Sequence, residues 1–208
     1  MMEEADRFAA RFDVSRETRD RLALYADLLC KWTPVINLVS KSTLPDLWTR
    51  HFADSAQVLQ IAGPVQGRWA DLGSGGGFPG MVVAILAAET HPGLSVTCVE
   101  SDQRKATFLR TVARETGVAA EVISKRIETV PPLAAKVVSA RALAPLIDLI
   151  AYTEPHLAPG GFALFLKGTG QAQEIEAALA SWSFQLDTFA SRTDPASAIL
   201  KLRSIARV

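Results

Sequence analysis

The rhythm of apolar positions changes once along this chain, near residue 65. Before it, in "SRETRDRLALYADLLCKWTPVINL", the residues Leu22, Tyr25, Leu28, Leu29 and Trp32 recur at spacings of three and four, the period of one helix face. Ser15 stands where an N-cap belongs, and Pro34 predicts a kink or the helix end. A second helical stretch follows Pro45, with Leu47, Trp48, Phe52, Val58 and Leu59 as its apolar face, until "AGPVQG" at 62–67 breaks the pattern. Residues 1–63 are therefore expected to form a helical cap packed on a main domain spanning 64–208.

After the break, short apolar runs alternate with helical ones. Strands are predicted at 68–72, 95–100, 120–124, 136–141, 162–167, 184–190 and 198–204, with helices at about 80–90, 102–117, 142–157 and 170–182. Strand and helix in alternation imply a mostly parallel, doubly wound α/β sheet of seven strands with helices on both faces. The last two strands have no helix between them and are expected to pair antiparallel.

Composition narrows this picture. A chain of 208 residues, 49% apolar, suits one domain with an appendage and buries an ample core. Its 22 basic and 22 acidic residues cancel, so a polyanion partner must be met by a local patch and not by a global field. Cys30 and Cys98 form no C-x-x-C pair and sit among apolar residues, which predicts buried, reduced thiols in a cytoplasmic protein. The acidic, amphipathic N-terminus and the lack of any apolar run near ~18 residues predict neither a signal peptide nor a membrane span. The three histidines are scattered, none at metal-ligand spacing, so no metal is expected.

The densest local signal is "DLGSGGGFPG" at 71–80, between the first strand and its helix, where doubly wound sheets bind ligands. Two registers compete. Gly75, Gly77 and Gly80 satisfy the dinucleotide fingerprint G-x-G-x-x-G, which brings a pyrophosphate against a helix N-terminus. Asp71, Gly73, Gly75 and Gly77 satisfy D-x-G-x-G-x-G, which resembles motif I of class I (Rossmann-like) S-adenosylmethionine-dependent methyltransferases. A carboxylate at Asp71 suits a ligand ammonium better than a pyrophosphate, which favours the second register. Glu100, ending the second strand, stands where either nucleotide class grips a ribose diol.

Taken together, "DLGSGGGFPG", "INLVS" at 36–40, "RHFADS" at 50–55, "SARALAPL" at 139–146 and "LKG" at 166–168 resemble the bacterial 16S ribosomal RNA guanine-N7 methyltransferase family, also called glucose-inhibited division protein B. The resemblance spans nearly the whole chain, and Phe78-Pro79-Gly80 is more distinctive than the glycines. It implies S-adenosylmethionine as cofactor and S-adenosylhomocysteine as product. It also implies cofactor contacts at Gly73, Phe78, Arg141 and the pair Ile127 and Glu128 near the adenine. The "RIE" at 126–128 reads equally as a helix cap or a solvated charge pair. The implied partner is 16S ribosomal RNA or a small-subunit precursor, met by a monomer.

Guanine N7 has an available in-plane lone pair, so such an enzyme needs alignment more than a base. "SARALAP" after the fourth strand carries no Asp/Asn-Pro-Pro-aromatic motif of the amine methylases, and no Ser-His-Asp or Cys-His arrangement is visible. Positioning candidates are Arg141, Lys167, Asn37 and His51. Arg141 and Lys167 end strands where they face the cofactor, a guanine O6 or a phosphate, or else pair with a helix acid. His51 reads as readily as an interhelical hydrogen bond, and Asn37 as a turn-stabilising amide.

Charge is unevenly spread: residues 101–141 carry eight basic and four acidic side chains, whereas 142–191 carry one and five. Arg104, Lys105, Arg110, Lys125 and Arg126 thus form a candidate phosphate-facing surface, or a solvated helix face. Two rivals stand beside RNA methylation. One is a class I methyltransferase acting on a small molecule, which predicts a closed apolar pocket under the cap where RNA needs an open basic rim. The other is a non-catalytic cofactor-binding factor in ribosome assembly.

Overall fold

The computed structural model describes residues 2–208. Three helices precede the sheet: α1 (Met2–Phe12), α2 (Arg16–Ile36) and α3 (Ala53–Ala62), the last entered through a π-helical turn at Trp48–Phe52. Ser15 caps α2, its hydroxyl accepting from the Thr18 N–H at 3.2 Å. Pro34 lies in the last turn and does not end the helix itself, because the amide it lacks is missing only one turn before the stop. The stop is Asn37, left-handed at φ 49°.

The alternating half contains β1 (Gly67–Leu72), α4 (Gly80–Thr90), β2 (Leu94–Val99), α5 (Gln103–Thr116), β3 (Ala120–Ile123), β4 (Ala135–Arg141), α6 (Leu146–Thr153), β5 (Leu157–Lys167), α7 (Gln171–Leu179), β6 (Trp182–Ala190) and β7 (Ala198–Arg207). The seven strands run in the order β3-β2-β1-β4-β5-β7-β6, parallel except that β7 lies antiparallel between β5 and β6. The largest departure from the expected boundaries is 142–157. Helix α6 starts only at Leu146, after Pro145, so residues 142–145 form a loop, and β5 begins five residues earlier than predicted.

Side chains alternate across the sheet and divide the core in two. Trp69, Cys98, Val137 and Leu164 pack beneath α2, α3, α4 and α5, in a cluster that also takes in Phe8, Leu22, Tyr25 and Phe52 of the N-terminal helices. Ala70, Leu72, Val138 and Phe165 face α6 and α7 on the other side. The N-terminal helices and one sheet face thus share a single apolar core. Glu89, at the end of α4, adds a polar tie by accepting from Ser15 Oγ at 2.9 Å and Thr18 Oγ1 at 2.5 Å. Cys98 is buried and Cys30 half-buried, both as free thiols. No helix among the described residues is long and apolar enough to cross a membrane.

Candidate functional site: two cavities meeting at Arg141

The carboxyl ends of β1, β2 and β4 open into a cavity of about 480 Å³. Its floor is the glycine loop between β1 and α4. Gly73 is left-handed at φ 63°, a conformation that favours glycine, and a Cβ there would lie 2.5 Å from the terminal Cδ1 of Leu143 in the loop after β4. Glu100, 8% exposed, turns its carboxylate back onto this loop. Its Oε2 accepts from the Gly75 N–H at 2.8 Å and its Oε1 from the Asp102 N–H at 2.8 Å. Each oxygen keeps a further lone pair, so the fixed carboxylate can still accept from a diol.

Gly73, Gly75, Phe78, Glu100, Ile127, Glu128 and Arg141 all line this cavity. Ile127 and Glu128 sit on a short 3-10 turn at its edge. Lys105, Lys125 and Arg126 line it too, so three of the five basic residues expected to face phosphate sit on the rim of this cavity. Arg104 lies outside, exposed and 3.4 Å from Asp102. Apolar Ile127 and Leu143, a buried diol acceptor and a closely approaching backbone suit a nucleoside with a polar tail.

Asp71 departs from expectation. Strand alternation points it, with Trp69, into the cap-side core, where it is 0% exposed and does not line the cavity. Ser139, its register partner on β4, donates to Asp71 Oδ1 at 2.6 Å and accepts from Trp69 Nε1 at 2.8 Å. Burial pushes the Asp71 carboxyl up to about 6, against the hydrogen bond from Ser139. A Cβ on Gly80 would come within 2.7 Å of this carboxylate, so the final glycine of the loop makes room for the acid. Asp71 braces the loop from behind, and its carboxylate is not on the cavity wall where its position suggested a ligand ammonium.

A second cavity, of about 460 Å³, adjoins the first and shares Leu38, Arg141 and Ala142 with it. Arg141 is held from two sides. Its guanidinium lies 4.6 Å over the Phe78 ring centroid, and Nη1 donates to His51 Nδ1 at 2.7 Å. A guanidinium only donates, so Nδ1 is the acceptor and the imidazole proton sits on Nε2, which donates to Thr43 Oγ1 at 2.9 Å. Thr43 in turn donates to the Ser40 carbonyl at 2.8 Å. His51 also stacks on Phe78, with ring centroids 5.0 Å apart. Burial, reinforced by Arg141, drives the His51 pKa down to about 3, so the ring is neutral. Burial likewise lowers Arg141 to about 10, which leaves it charged.

His51 thus hydrogen-bonds Thr43 and Arg141 while lining the second cavity, and among the described residues Arg141 is not ion-paired to a helix acid. Lys167 is: its ammonium lies 2.6 Å from Glu174 Oε2 and donates to the Ala144 carbonyl at 3.0 Å, on the wall of the second cavity. Asn37 lines neither cavity; its backbone N–H closes α2 onto the Thr33 carbonyl. Reasoning from sequence missed Leu143 and Leu38, which close over the glycine loop, and Arg50 and Asp54, which line the second cavity. The clue for the last two lay in "RHFADS", which sets Asp54 one helical turn beyond His51. Among the described residues, no group of three His, Cys, Asp or Glu side chains is placed to hold a metal.

Comparison with known proteins agrees with this geometry. A family model described as rRNA small subunit methyltransferase G matches residues 18–194. A ribosomal RNA small subunit methyltransferase G of Ruegeria pomeroyi is 53% identical over 196 residues, covering 94% of this chain and 96% of that one. One from Cereibacter sphaeroides is 50% identical over 208 residues, all of both chains. Among solved structures, a SAM dependent methyltransferase from Aquifex aeolicus superposes with a TM-score of 0.58 at 11% identity, over 77% of this chain and 93% of that one, a likeness that shows the fold.

Proposed function

The chain belongs to the rRNA small subunit methyltransferase G family, and on that premise we propose that it methylates N7 of a guanine in 16S ribosomal RNA, using S-adenosylmethionine and releasing S-adenosylhomocysteine. The observation that carries this reading is the meeting of two cavities at one immobilised arginine: a nucleoside-shaped one rimmed by Lys105, Lys125 and Arg126, and a second beside it. The basic rim favours RNA over the small-molecule rival, whose pocket would be closed and apolar. We read the chain as a monomer that works on naked RNA or a precursor particle in the cytoplasm.

The cofactor supplies an electrophilic methyl on a sulfonium. Glu100 and the Gly73–Gly75 backbone would hold its nucleoside end, with Ile127, Leu143 and Glu128 lining the same cavity. Arg141, fixed between Phe78 and His51, presents its remaining N–H groups at the junction, where O6 beside an incoming N7 accepts them. No side chain takes a proton, because N7 carries none. His51 Nδ1 is already occupied by Arg141, and the ring is uncharged, so it orients and does not titrate. The rate comes from alignment, a contribution that reaches effective molarities of ~10⁵ M or more in favourable cases.

The test is to incubate the protein with methyl-labelled cofactor and 16S RNA, small-subunit precursor particles or a pool of cellular metabolites. Label on RNA that becomes cleavable at N7-methylguanine is the expected result. Label confined to the metabolites, or cofactor binding without transfer, overturns it in favour of one rival or the other.

A further inference from the structure

The second cavity shares Leu38, Arg141 and Ala142 with the first, and its volume of about 460 Å³ lies within the ~300–1,000 Å³ typical of small-ligand sites. Three carboxylates line it. Asp194 spends one oxygen on the Ala196 N–H and the other on the Ser197 hydroxyl. Glu174 is neutralised by Lys167. Asp54, in the first turn of α3, is different. Its Oδ1 accepts both Ser191 Oγ at 2.9 Å and Thr193 Oγ1 at 2.5 Å, which fixes the side chain, while Oδ2 has no protein donor and no cation pairs with it among the described residues. A fixed carboxylate oxygen with no hydrogen-bond donor of its own, in a cavity where it meets Arg141 only through its longer-range field, is suited to a ligand that brings donors.

We infer that this cavity receives the extruded target base and that Asp54 is the residue that selects guanine, by accepting from its N1–H and exocyclic N2–H. The inference rests on the guanine-N7 reading above. Guanine is the base that combines N7 and O6 acceptors on one edge with an adjacent pair of donors on the opposite edge. With N7 turned toward the shared wall and O6 toward Arg141, the donor edge turns away from the junction, into the part of the cavity that Asp54 lines. Adenine would bring a bare N1 lone pair against the carboxylate, a repulsion that rejects it.

The same contact acts on the reaction. The N7 lone pair forms the new N–CH3 bond while the electron pair of the S–CH3 bond stays on sulfur, so one positive charge passes from sulfur to the purine and no proton moves. The N1–H and N2–H become stronger donors as that charge arrives, and Asp54 holds them more tightly in the transition state than in the ground state.

Asp54→Asn tests this cleanly. The amide oxygen still accepts from Ser191 and Thr193, which preserves the loop tie, whereas the free oxygen becomes an NH2 donor facing guanine's own donors. The substrates are 16S RNA with guanine, and a ligated copy with inosine, which lacks N2, at the nucleotide that the unaltered protein methylates. The variant is expected to keep its melting temperature and S-adenosylhomocysteine affinity and to lose on the order of 10- to 100-fold in turnover on guanine RNA. The unaltered protein should prefer guanine to inosine by about tenfold, and the variant should have lost that preference. A variant that keeps the guanine-to-inosine ratio, whether active or slowed, overturns the role of Asp54. Absence of transfer by the unaltered protein to either RNA overturns instead the functional reading on which the inference rests.

Discussion

The two cavities on either side of Arg141 are built from different materials. The larger is made of backbone: left-handed glycines, a strand-end acid that accepts amide N–H groups, and a 3-10 turn. The smaller is made of side chains from four distant segments, 38–54, 141–142, 166–174 and 191–199. A site made of backbone fails when a Cβ is added, because the loop cannot move aside. A site made of side chains fails by degrees, through lost orientation. The difference predicts all-or-none defects on one side of Arg141 and graded ones on the other.

The largest effect is expected at Gly73. Gly73→Val places a β-branched side chain at φ 63°, where it strains the backbone, and presses its Cβ on the Leu143 side chain over the cavity. Binding of both S-adenosylmethionine and S-adenosylhomocysteine should fall at least ~100-fold by calorimetry, given the strain of a β-branched residue in this region. Affinity retained within a few-fold would show that the floor of the larger cavity is not rigid. Tighter binding of NAD than of either compound by the unaltered protein would restore the dinucleotide register.

The same contrast explains what was legible in the sequence. Glycines that a backbone requires are visible one by one, and Gly73, Gly75 and Glu100 fell where a strand-loop-helix reading placed them. Asp71 was legible as an acid at a strand end, but which face of the strand it takes depends on register with Ser139, and that decided between ligand and core. The second cavity left almost no trace, because Asp54, Arg50 and Asp194 are ordinary on their own helix or loop and become a site only when residues some 140 apart are brought together. The misplaced start of α6 has the same origin: "ALAP" has helical composition, yet Pro145 and the cavity wall hold it as loop.

Next in size is the junction itself. Arg141→Ala should lower turnover on the order of 100-fold with a smaller change in RNA affinity, since misplacing reacting groups by about 1 Å has a cost of that order. Arg141→Lys should rescue little, because an ammonium cannot fork to His51 while covering Phe78. His51→Asn offers an acceptor to Arg141 and a donor to Thr43 and should retain more activity than His51→Leu. Turnover at saturating substrates should stay flat between pH 6.5 and 8.5, as the His51 pKa lies near 3. A histidine-dependent acidic limb near 6.5 would make His51 a base.

Behind the two cavities, burial acts on stability in opposite directions. Asp71 is raised from 3.8 to about 6 on folding, so the native state holds the extra proton and gains about 2 kcal/mol as pH falls from 6 to 4. His51 is lowered from 6.5 to about 3, so the unfolded state holds the extra proton and stability is lost below 6.5, by about 1.4 kcal/mol per pH unit. Between pH 6 and 4 the two nearly cancel. Asp71→Asn removes the gain alone: relative to the unaltered protein it should lose about 2 kcal/mol over this interval, measured by urea unfolding without cofactor. Parallel curves for the two proteins would show that folding leaves the proton affinity of Asp71 unchanged.

The smallest effects are expected on the rim, where the two materials meet RNA. Lys125 and Arg126 are exposed and line the larger cavity, so each is placed to meet a phosphate that follows the target nucleotide in. Replacing both with Ala should reduce the slope of log affinity against log salt by roughly 0.7 to 0.9 for each phosphate no longer neutralised. Because the same side chains border the cofactor, its affinity should shift too, but only a few-fold, since solvent screens exposed charges. Arg104→Ala, which removes an exposed pair with Asp102 outside the cavity, should move neither quantity measurably. If Arg104 changed the salt slope as much as Lys125 and Arg126 together, RNA would be tracking the outer face of α5 rather than the cavity mouth. The path of the strand toward the second cavity would then have to be redrawn.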